Sequence, residues 1–559
     1  MIYPEAYCDG NDDGIGDLKG IISKLDYLKE LGIDLIWICP FFDSPLDDGG
    51  YDVRDYYKVN PRYGDNEELK ALIQGCHERG IHILVDFVMN HTSDEHPWFR
   101  KALEDPGSEE RGYYYFRKGR IVDGKLLPPN NWKGFFSTSA WENIPGTDEF
   151  YLHLFSKKMP DVNWGNPALR EKYYEIAKWY LDLGVDGFRL DAISHLGKDL
   201  SFSDSTLPLD QDGMVLDTSK FANREEMYVY LNEFKEKVLS HYPCLSLGEA
   251  GGGISPEQSL RLTDIDNGSI DMVFNFDCSW CNGAYGSIDK KDEEIRTNVL
   301  DLKRNFKRWY DITAGRSSSL PPYLCNHDHP RALSQYGDIR YRKESGKMVL
   351  LTILFQYGTP FILYGDEIGM SNVTYSKPED FYSDVSAKNA AQYFRNLGYS
   401  EEQITHYLCR CSRVNGRQPM QWGRGENASF SCKTPINKTN LNYLDGVNVE
   451  DELLDEDSIL NFAKLAIKER KKPENTFYID NGEFVLPNNY DPNVFAFAYL
   501  YEGKGIAVIS NFRSTNLEFD FELIPTRYVL GNYPLSGPLP RRMVLRPFET
   551  MLLEVREHE

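Results

Sequence analysis

The sequence lacks the marks of a membrane or secreted protein. No apolar run reaches the roughly 18 residues that a membrane-spanning helix needs. No basic segment followed by an apolar run stands at the N-terminus, so we expect no secretory signal. The ten cysteines are scattered without a framework spacing, which predicts reduced thiols and a cytoplasmic location. Cys278-Ser-Trp-Cys281 has no second pair to complete a zinc site, so it favours neither metal nor redox chemistry.

Positive charge is also scarce. Lysine plus arginine total 62 against 86 aspartate plus glutamate, which gives a net charge of −24. Such a surface repels polyanions, so we expect neither nucleic acid nor an anionic membrane as a partner. The expected ligand is small and neutral or cationic, and the expected state is a monomer or a weak homo-oligomer.

Aromatic residues are plentiful, with 36 Tyr, 30 Phe and 9 Trp. Aromatic rings stack on the apolar faces of sugars, but they fill protein cores more often. The chain of 559 residues is too long for one ordinary domain.

Strand-like and helix-like stretches alternate along most of the chain. This alternation predicts an α/β fold, a (β/α)8 TIM barrel. The eight strand candidates are Met1–Tyr7, Ile33–Pro40, Ile81–Val88, Val185–Leu190, Cys244–Leu247, Ile270–Phe276, Pro322–Cys325 and Pro360–Tyr364. The main helix candidates are Leu18–Leu31, Asn66–Arg79, Asn166–Leu183, Arg224–Leu239, Asp292–Tyr310, Lys347–Gln356 and Asp457–Lys471.

Two segments depart from this alternation. Residues 92–163 show little periodicity, and because structureless loops of that length are uncommon, they predict either a small subdomain after the third strand or a segment that serves a site. Residues 476–559 carry short alternating runs, which predict a C-terminal antiparallel β-sandwich domain. The barrel then comprises residues 1–91 and 164–475. The runs are Thr476–Ile479, Val494–Tyr501, Gly505–Phe512, Leu517–Leu523, Met543–Leu545 and Met551–Val555.

The stretch Gly187–Ser194 contains the central residues of the candidate site. Arg189 and Asp191 lie two apart in a predicted strand, so their side chains point the same way. The cation favours the ionised form of the carboxylate, as a nucleophile at a barrel strand end requires. A structural salt bridge is the alternative interpretation.

Other predicted strands also end in polar residues. The third carries Asp86 and then His91, the fifth ends at Glu249, and the seventh is followed by His327 and Asp328. Two carboxylates at neighbouring strand ends can flank a glycosidic bond, one attacking the anomeric carbon and the other protonating the leaving oxygen. No basic side chain adjoins Glu249 in sequence, so we assign it the proton-donor role. Helix capping is the alternative for each strand-end carboxylate.

A further polar stretch lies near the N-terminus. Asp9, Asn11, Asp13 and Asp17 alternate, and Ile15 can offer its carbonyl oxygen. This spacing resembles the start of a calcium loop, although Gly20 stands where an EF-hand has its bidentate Glu. A polar turn that caps the next helix is the alternative.

Four stretches together resemble the signature regions of the alpha-amylase superfamily, glycoside hydrolase family 13. They are Asp86-Phe-Val-Met-Asn-His91, Gly187-Phe-Arg-Leu-Asp-Ala192, Gly248-Glu-Ala250 and Asn326-His-Asp328. Within that superfamily the chain is similar to the oligo-1,6-glucosidase and alpha-glucosidase group. The supporting stretches are Asp9–Asp17, Gly50–Tyr56, Tyr364–Met370 and Arg413–Trp422.

The resemblance implies a retaining, exo-acting alpha-glucosidase that releases glucose from the nonreducing end of short alpha-glucosides by double displacement. Substrates of the maltose, isomaltose or sucrose type are expected. The implied catalytic residues are Asp191 as nucleophile, Glu249 as acid/base and Asp328 as transition-state stabiliser. The implied substrate-binding residues are Asp48, Tyr51, His91, Arg189, Ala192, His327 and Arg413, with Arg417 as an alternative to Arg413. The implied ligands of a structural Ca²⁺, or of Mg²⁺ instead, are Asp9, Asn11, Asp13, Ile15 and Asp17.

Several positions depart from the group's usual pattern. Val414 stands where Asp is frequent, and His329 stands where Asn or Gln is commoner, next to Asp328. Ala192, directly after the predicted nucleophile, resembles members that prefer α-1,4 bonds, whereas Val there accompanies α-1,6 preference. These departures leave the linkage open and do not affect the reaction class.

Three other functions remain as alternatives. A sucrose isomerase or transglucosidase would use the same covalent glucosyl-enzyme. A non-catalytic carbohydrate-binding family member typically loses a catalytic carboxylate, and all three are present here. A metal-dependent barrel lyase or isomerase would need ligand clusters at the strand ends.

Overall fold

A computed structural model describes residues 1–136, 139–535, 537 and 539–558. The chain separates into two compact units. The central unit comprises Leu35–Phe274 and Asp384–Asn396, and the terminal unit comprises Met1–Asp34, Asn275–Ser383 and Leu397–Glu559. Each unit is described by itself.

The central unit is built on a five-stranded parallel sheet. Its strands lie in chain order across the sheet, as expected for consecutive barrel strands. They are β1 (Leu35–Ile38), β2 (His82–Val88), β3 (Gly187–Asp191), β4 (Leu245–Glu249) and β5 (Met272–Phe274). Residues of β3 are all buried, because a barrel strand is covered on both faces. All five were predicted, with bounds that differ by at most two residues.

Gly187 opens β3 in a conformation open only to glycine. Its φ is +144°, and a Cβ atom there would lie 1.9 Å from the carbonyl oxygen of Leu245 on β4. The glycine therefore lets β3 approach β4 closely at the start of the strand that carries Arg189 and Asp191.

Helices cover the sheet and a small subdomain is inserted between β2 and β3. The helices of the central unit are Asn66–Glu78, Pro97–Glu104, Pro167–Leu183, Glu225–Lys237, Pro256–Thr263 and Val385–Asn396. Short strands pair at Phe42–Asp43 with Asp55–Val59. Within residues 92–163 lie a three-stranded sheet and a hairpin, formed by Phe116–Lys118, Arg120–Val122, Lys125–Leu127, Trp141–Asn143 and Glu149–Leu152.

The inserted segment has its own apolar core. Trp132 and Trp141 are buried in it together with Phe202 and Phe221 from a later loop. The core thus recruits residues well beyond 163, which sequence periodicity did not indicate. The predicted domain bounds themselves remain predictions.

In the terminal unit, three predicted barrel strands are not regular strands. Phe361 N–H donates to the Pro322 carbonyl at 2.9 Å, and Tyr364 N–H donates to the Met1 carbonyl at 3.1 Å. The three segments therefore contact one another as neighbouring strands would. Pro321, Pro322 and Pro360 lack the N–H groups that a regular ladder needs. The prediction of regular strands was therefore wrong for Met1–Tyr7, Pro322–Cys325 and Pro360–Tyr364. Pro4–Tyr7 forms a helical turn instead.

The terminal unit also contains α-helices. They are Pro4–Tyr7, Leu18–Ser23, Leu25–Leu31, Val299–Thr313, Ala332–Tyr336, Arg342–Leu354, Glu401–Cys411, Val449–Leu454, Ile459–Arg470 and Pro473–Asn481. The predicted helix Leu18–Leu31 is broken at Lys24, whose φ and ψ of −108° and 8° are not helical. No helix in the described part of the chain is both long and apolar enough to cross a membrane.

A C-terminal antiparallel sheet completes the terminal unit. Its strands are β6 (Glu483–Val485), β7 (Val494–Tyr501), β8 (Lys504–Asn511), β9 (Leu517–Asp520), β10 (Ile524–Gly531), β11 (Arg542–Leu545) and β12 (Thr550–Arg556). β9 pairs only with β11, and the other five form one sheet in the order β6-β7-β8-β12-β10. One face of β7 lies in a continuous apolar core, to which it contributes Val494, Ala496, Ala498 and Leu500. The predicted strand Thr476–Ile479 is wrong, because those residues belong to the helix Pro473–Asn481.

Candidate active site

Arg189 is the centre of a buried charge cluster in the central unit. Its guanidinium lies 2.7 Å from Asp86, 2.5 Å from Asp191 and 2.8 Å from Glu249. The arginine side chain is 1% exposed. One cation therefore serves three carboxylates in a site from which water is largely excluded.

Strand register produces this cluster. Arg189 on β3 is the partner of Asp86 on β2, and Leu190 is the partner of Gly248 on β4. Glu249, one residue on, is thus level with Asp191. Partner residues on neighbouring parallel strands project to the same face, so the four side chains converge at the carboxyl end of the sheet.

Burial dominates the titration of this cluster. It raises the pKa of Asp86 to about 6, and Arg189 acts in the opposite direction. Burial also raises the pKa of Asp191, again against Arg189 and with the nearby Glu249 and Asp86 charges adding to the rise. The sequence indicated a pair of Arg189 with Asp191, and the structure shows that Arg189 also contacts two further carboxylates. No basic side chain adjoins Glu249 in sequence, but Arg189 contacts it across the strands.

Aromatic groups enclose the Asp86 side of the cluster. The hydroxyl of Tyr51 and the indole N–H of Trp37 both donate to Asp86 Oδ2, at 3.0 and 2.9 Å. The guanidinium of Arg189 lies over both rings, 4.8 Å from the Trp37 centroid and 5.7 Å from that of Tyr51. Sequence patterns gave no role to Trp37, since its position on β1 reads as core.

The loop that carries Asp48 and Tyr51 is fixed by a buried carboxylate. Asp52 is fully buried and accepts hydrogen bonds from the Ser44 hydroxyl and from the backbone N–H of Asp47 and Asp48. Burial raises the pKa of Asp52 to about 7. Asp48 itself is 5% exposed.

His91 is held by a buried network that the sequence did not indicate. Asn90 Nδ2 lies 3.3 Å from His91 Nδ1 and donates to Asp161 at 3.1 Å. Lys198, also fully buried, bonds Asn90 Oδ1 and Asp161, both at 2.8 Å. Burial lowers the pKa of His91 to about 4, so the ring is neutral at pH 7. Its Nε2 is buried without a hydrogen-bond partner, which leaves it for a ligand.

Ala192 follows the predicted nucleophile in a strained backbone conformation. Its φ and ψ are 49° and 33°, which is uncommon for a residue other than glycine. Its N–H donates to Glu249 Oε2 at 3.1 Å. The left-handed turn thus directs this amide at the second carboxylate.

In the terminal unit, Asp328 has the opposite surroundings. Its Oδ1 accepts hydrogen bonds from Arg413 at 3.0 Å and from Arg417 at 2.8 Å, and its Oδ2 lies 3.2 Å from His327 Nε2. Arg417 also donates to the His327 carbonyl at 3.0 Å. Both arginines considered from the sequence therefore contact Asp328. The predicted pairing of Arg413 with Asp48 stays a prediction.

The predicted metal loop curls around its own carboxylates. Asp9 accepts hydrogen bonds from the backbone N–H of Gly14 at 2.7 Å, and Asp17 accepts one from Gly20 at 2.6 Å and caps the next helix. No cluster of three His, Cys, Asp or Glu side chains placed to hold a metal occurs among the described residues. Asp17 Oδ2, however, is buried and has no hydrogen-bond partner. This orphaned oxygen fits a cation, and the loop as a whole serves equally as a helix cap.

Comparisons with known proteins place the chain in a family. The alpha-amylase catalytic-domain profile matches residues 1–478. The oligo-1,6-glucosidase of Bacillus cereus is 38% identical over 565 residues, covering 100% of this chain and 98% of that protein. The alpha-glucosidase of Schizosaccharomyces pombe is 35% identical, covering 99% and 96%. The structure is similar to that of the trehalulose synthase of Pseudomonas mesoacidophila MX-45, with a TM-score of 0.89, 32% identity and coverage of 99% and 98%.

These matches confirm the predicted fold class, a (β/α)8 barrel with a C-terminal antiparallel β domain. They extend over essentially the full length of the chain, and the cluster around Arg189 lies within the matched residues. The chain belongs to the alpha-amylase superfamily, glycoside hydrolase family 13, and within it to the oligo-1,6-glucosidase and alpha-glucosidase group.

Proposed function

We propose that the protein is a retaining, exo-acting alpha-glucosidase that releases glucose from the nonreducing end of short alpha-glucosides. The observation that carries this proposal is the pair of carboxylates, Asp191 and Glu249, on register-matched strands and on the same guanidinium. Retaining enzymes need two carboxyl groups about 5–5.5 Å apart. The names of the oligo-1,6-glucosidase and alpha-glucosidase relatives support the same reaction class.

In the first step the Asp191 carboxylate attacks the anomeric carbon. The bond from that carbon to the glycosidic oxygen breaks, and Glu249 as its acid gives the leaving oxygen a proton. Arg189 holds both groups in place, and the Ala192 N–H fixes the other Glu249 oxygen. The proton that this step consumes is the one that Glu249 carries as the acid.

In the second step water attacks the glucosyl-enzyme ester. Glu249, now a carboxylate, takes the proton from that water, and Asp191 leaves as a carboxylate. Two inversions at one carbon give net retention. The enzyme returns to its starting protonation, so no other reactant is required.

Recognition of the nonreducing-end glucose is assigned to buried groups. The unpartnered Nε2 of His91 would bond a sugar hydroxyl, and the ring of Tyr51 would stack on the sugar face. Asp48 and Arg413 would bind the far hydroxyls and give exo action, while His327 and Asp328 would support the charge that develops on the ring. These roles are expectations that the resemblance implies.

Replacement of Asp191 tests the proposal. We expect Asp191→Asn to lower kcat for an aryl alpha-glucoside about 10⁴-fold or more, because the covalent intermediate cannot form. The control is Asp266→Asn, an exposed aspartate in a turn of the same unit, which should retain wild-type kcat. Near-normal hydrolysis by Asp191→Asn would refute the assignment.

A sucrose isomerase or transglucosidase is the second candidate, and the fold similarity to trehalulose synthase favours it. Both reactions share the glucosyl-enzyme and differ in the acceptor, which is water or a sugar. Product analysis on sucrose and maltose separates them, since free glucose from both substrates supports hydrolysis and rearranged disaccharide supports isomerisation. A non-catalytic carbohydrate-binding member would yield neither product.

Two observations favour different linkages. Ala192 resembles members that prefer α-1,4 bonds, whereas the Bacillus cereus relative is named for α-1,6 activity. Rates on maltose, isomaltose, sucrose, trehalose and kojibiose decide between them. We expect Ala192→Val to raise the isomaltose-to-maltose ratio of kcat/KM about tenfold, an effect of the size that one or two methyl groups exert in a binding pocket.

We propose that the loop Asp9–Asp17 binds a structural Ca²⁺, with Mg²⁺ as the alternative. The buried Asp17 Oδ2 supports this, and Asn11, Asp13 and the Ile15 carbonyl would complete the ligands with Asp9. We expect added Ca²⁺ to raise Tm after treatment with a chelator, and Asp17→Asn to abolish that rise. An unchanged Tm would identify the loop as a helix cap only.

The remaining expectations concern the setting of the enzyme. All ten cysteines are free thiols, which supports a cytoplasmic location. The expected partner is a small oligosaccharide or disaccharide, with neither nucleic acid nor membrane, and the expected state is a monomer or weak homo-oligomer. Cell fractionation and light scattering test the location and the state.

A further inference from the structure

The loop that follows Glu249 contains three consecutive glycines. Glu249 is the last residue of β4, where it pairs with Phe274, and the chain continues as Ala250-Gly-Gly-Gly253. Gly252 and Gly253 have φ values of +66° and +76°. Glycine leaves the backbone more freedom than any other residue, so contacts from other segments must hold this loop in one shape. The path of the chain beyond Glu249 therefore depends on those contacts.

Asn223 holds the glycine loop through its side-chain amide. Its Nδ2 donates to the carbonyl oxygens of Gly251 at 3.0 Å and of Gly252 at 3.3 Å. Its backbone N–H donates at 2.8 Å to the carbonyl of Ser194, three residues beyond Asp191. Asn223 thus joins the loop after β4 to the turn after β3, and both belong to the central unit.

The backbone conformation explains why an asparagine stands at position 223. Its φ is +53°, in the left-handed region that asparagine adopts more readily than most other residues. The preceding Ala222 packs so closely on the glycine loop that a Cβ atom at Gly252 would lie 2.6 Å from the Ala222 Cβ. Residues other than glycine in this conformation cluster at functional sites. Both the backbone and the side chain at 223 therefore bring one amide to two carbonyl groups.

We propose that Asn223 is a positioning residue for the acid/base carboxylate of Glu249. Arg189 and the Ala192 N–H each restrain one oxygen of that carboxylate. Asn223 restrains the backbone beyond Glu249, so that the side chain extends from a fixed point. A misplacement of about 1 Å can lower a rate roughly 100-fold, so loss of the amide should weaken proton delivery. This inference rests on the proposed glucosidase function.

Aryl alpha-glucosides with different leaving groups test the proposal. Asn223→Gly removes the amide but suits a positive φ, and Asn223→Asp keeps the size but replaces the donor by a carboxylate. We expect each variant to lower kcat/KM for phenyl alpha-glucoside at least about tenfold, because departure of phenol needs a proton from Glu249. The loss for para-nitrophenyl alpha-glucoside, whose leaving group is more acidic, should be about twofold or less. Both variants carry the same prediction, so one that folds is sufficient.

Asn143 provides a matched control. Its Nδ2 also donates to two carbonyl oxygens, those of Thr147 at 3.2 Å and Glu149 at 3.0 Å, within the inserted segment. Asn143→Gly should lower Tm by a similar amount and leave the dependence on the leaving group unchanged.

The pattern of losses separates this role from a structural one. Equal losses on the two aryl glucosides, or no loss on either, would overturn the role of Asn223 and leave the glucosidase function standing. If the wild-type protein hydrolyses neither substrate, the proposed function fails, and this inference fails with it.

Discussion

The cluster around Arg189 and the surroundings of Asp328 have opposite charge balances. In the central unit one buried guanidinium serves three carboxylates. In the terminal unit one carboxylate is contacted by two guanidiniums and an imidazole. The first arrangement is short of positive charge and the second is short of negative charge.

The difference separates two tasks of a retaining glycosidase. Burial raises the pKa of Asp86 and Asp191 against the effect of the single cation, so the cluster holds a proton more readily than exposed carboxylates would, and acid/base catalysis needs such a proton. A carboxylate held by several donors keeps a fixed position, which electrostatic stabilisation of a transition state needs. Asp328 is also more open, with 33% of its side chain exposed against 8% for Asp191.

Removal of the shared cation should have the largest effect. We expect Arg189→Ala to lower the free energy of unfolding by about 3–5 kcal/mol, because three buried carboxylates lose their partner. Hydrolysis should also be lost. Urea unfolding at pH 7 measures the change.

An exposed pair in the same unit is the control. Arg120 contacts Asp204 with both side chains nearly half exposed, so Arg120→Ala should cost about 1 kcal/mol or less. Similar losses in the two variants would mean that the Arg189 cluster is as well solvated as a surface pair.

Neutralising one of the three carboxylates should have an intermediate, pH-dependent effect. Burial raises the pKa of Asp86 from 3.8 to about 6, so the native state binds this proton more tightly than the unfolded state. Wild-type stability therefore falls as pH rises from about 4 to 7. Asp86→Asn removes this pH-dependent contribution. As pH rises across this window, the free energy of unfolding of the variant should therefore rise relative to that of the wild type by up to about 3 kcal/mol.

Asp43 offers a control of opposite sign. Hydrogen bonds from Arg54 lower the pKa of Asp43, so that its stabilisation is present above its unfolded pKa and is lost on acidification. Asp43→Asn should therefore lose stability relative to wild type as pH rises. Parallel curves for the two variants would contradict the charge balance inferred for the Arg189 cluster.

The smallest effect should come from replacing an arginine that contacts Asp328, because two arginines contact this carboxylate. Arg413 Nη1 donates to Asp328 at 3.0 Å, and Arg413→Lys keeps the charge, so kcat/KM should fall only about tenfold. Arg417 bonds Asp328 and the His327 carbonyl together, which lysine cannot reproduce, so Arg417→Lys should cost about 100-fold. Equal losses in steady-state kinetics would show that the two arginines are interchangeable.

Sequence periodicity was sufficient for the central sheet and less so elsewhere. All five strands β1–β5 were predicted, because each is a short apolar run between helix-like segments. Periodicity failed at Pro322 and Pro360, because proline lacks the backbone donor that a regular strand needs. It also failed at Thr476–Ile479, because this helical segment contains β-branched and aromatic residues. Local composition does not show which neighbour supplies a hydrogen bond.

The sequence indicated the candidate residues at the strand ends, but it did not indicate the contacts that join one strand or loop to another. Asp191, Glu249 and Asp328 follow from motif and spacing. The sharing of Arg189 depends on strand register, and the bonds of Lys198 to Asn90 and Asp161 join residues more than 30 positions apart. Contacts of that range are set by tertiary packing and leave no local pattern.

The left-handed turn at Ala192 has a consequence for altering linkage preference by mutation. Ala192 is both a predicted substrate-binding residue and the donor of a backbone hydrogen bond to Glu249. A bulkier side chain there alters pocket shape and, through φ, the aim of that amide. We therefore expect linkage selectivity and the pH optimum to change together, and variants chosen for a new bond should be screened for a displaced pH optimum as well as for product.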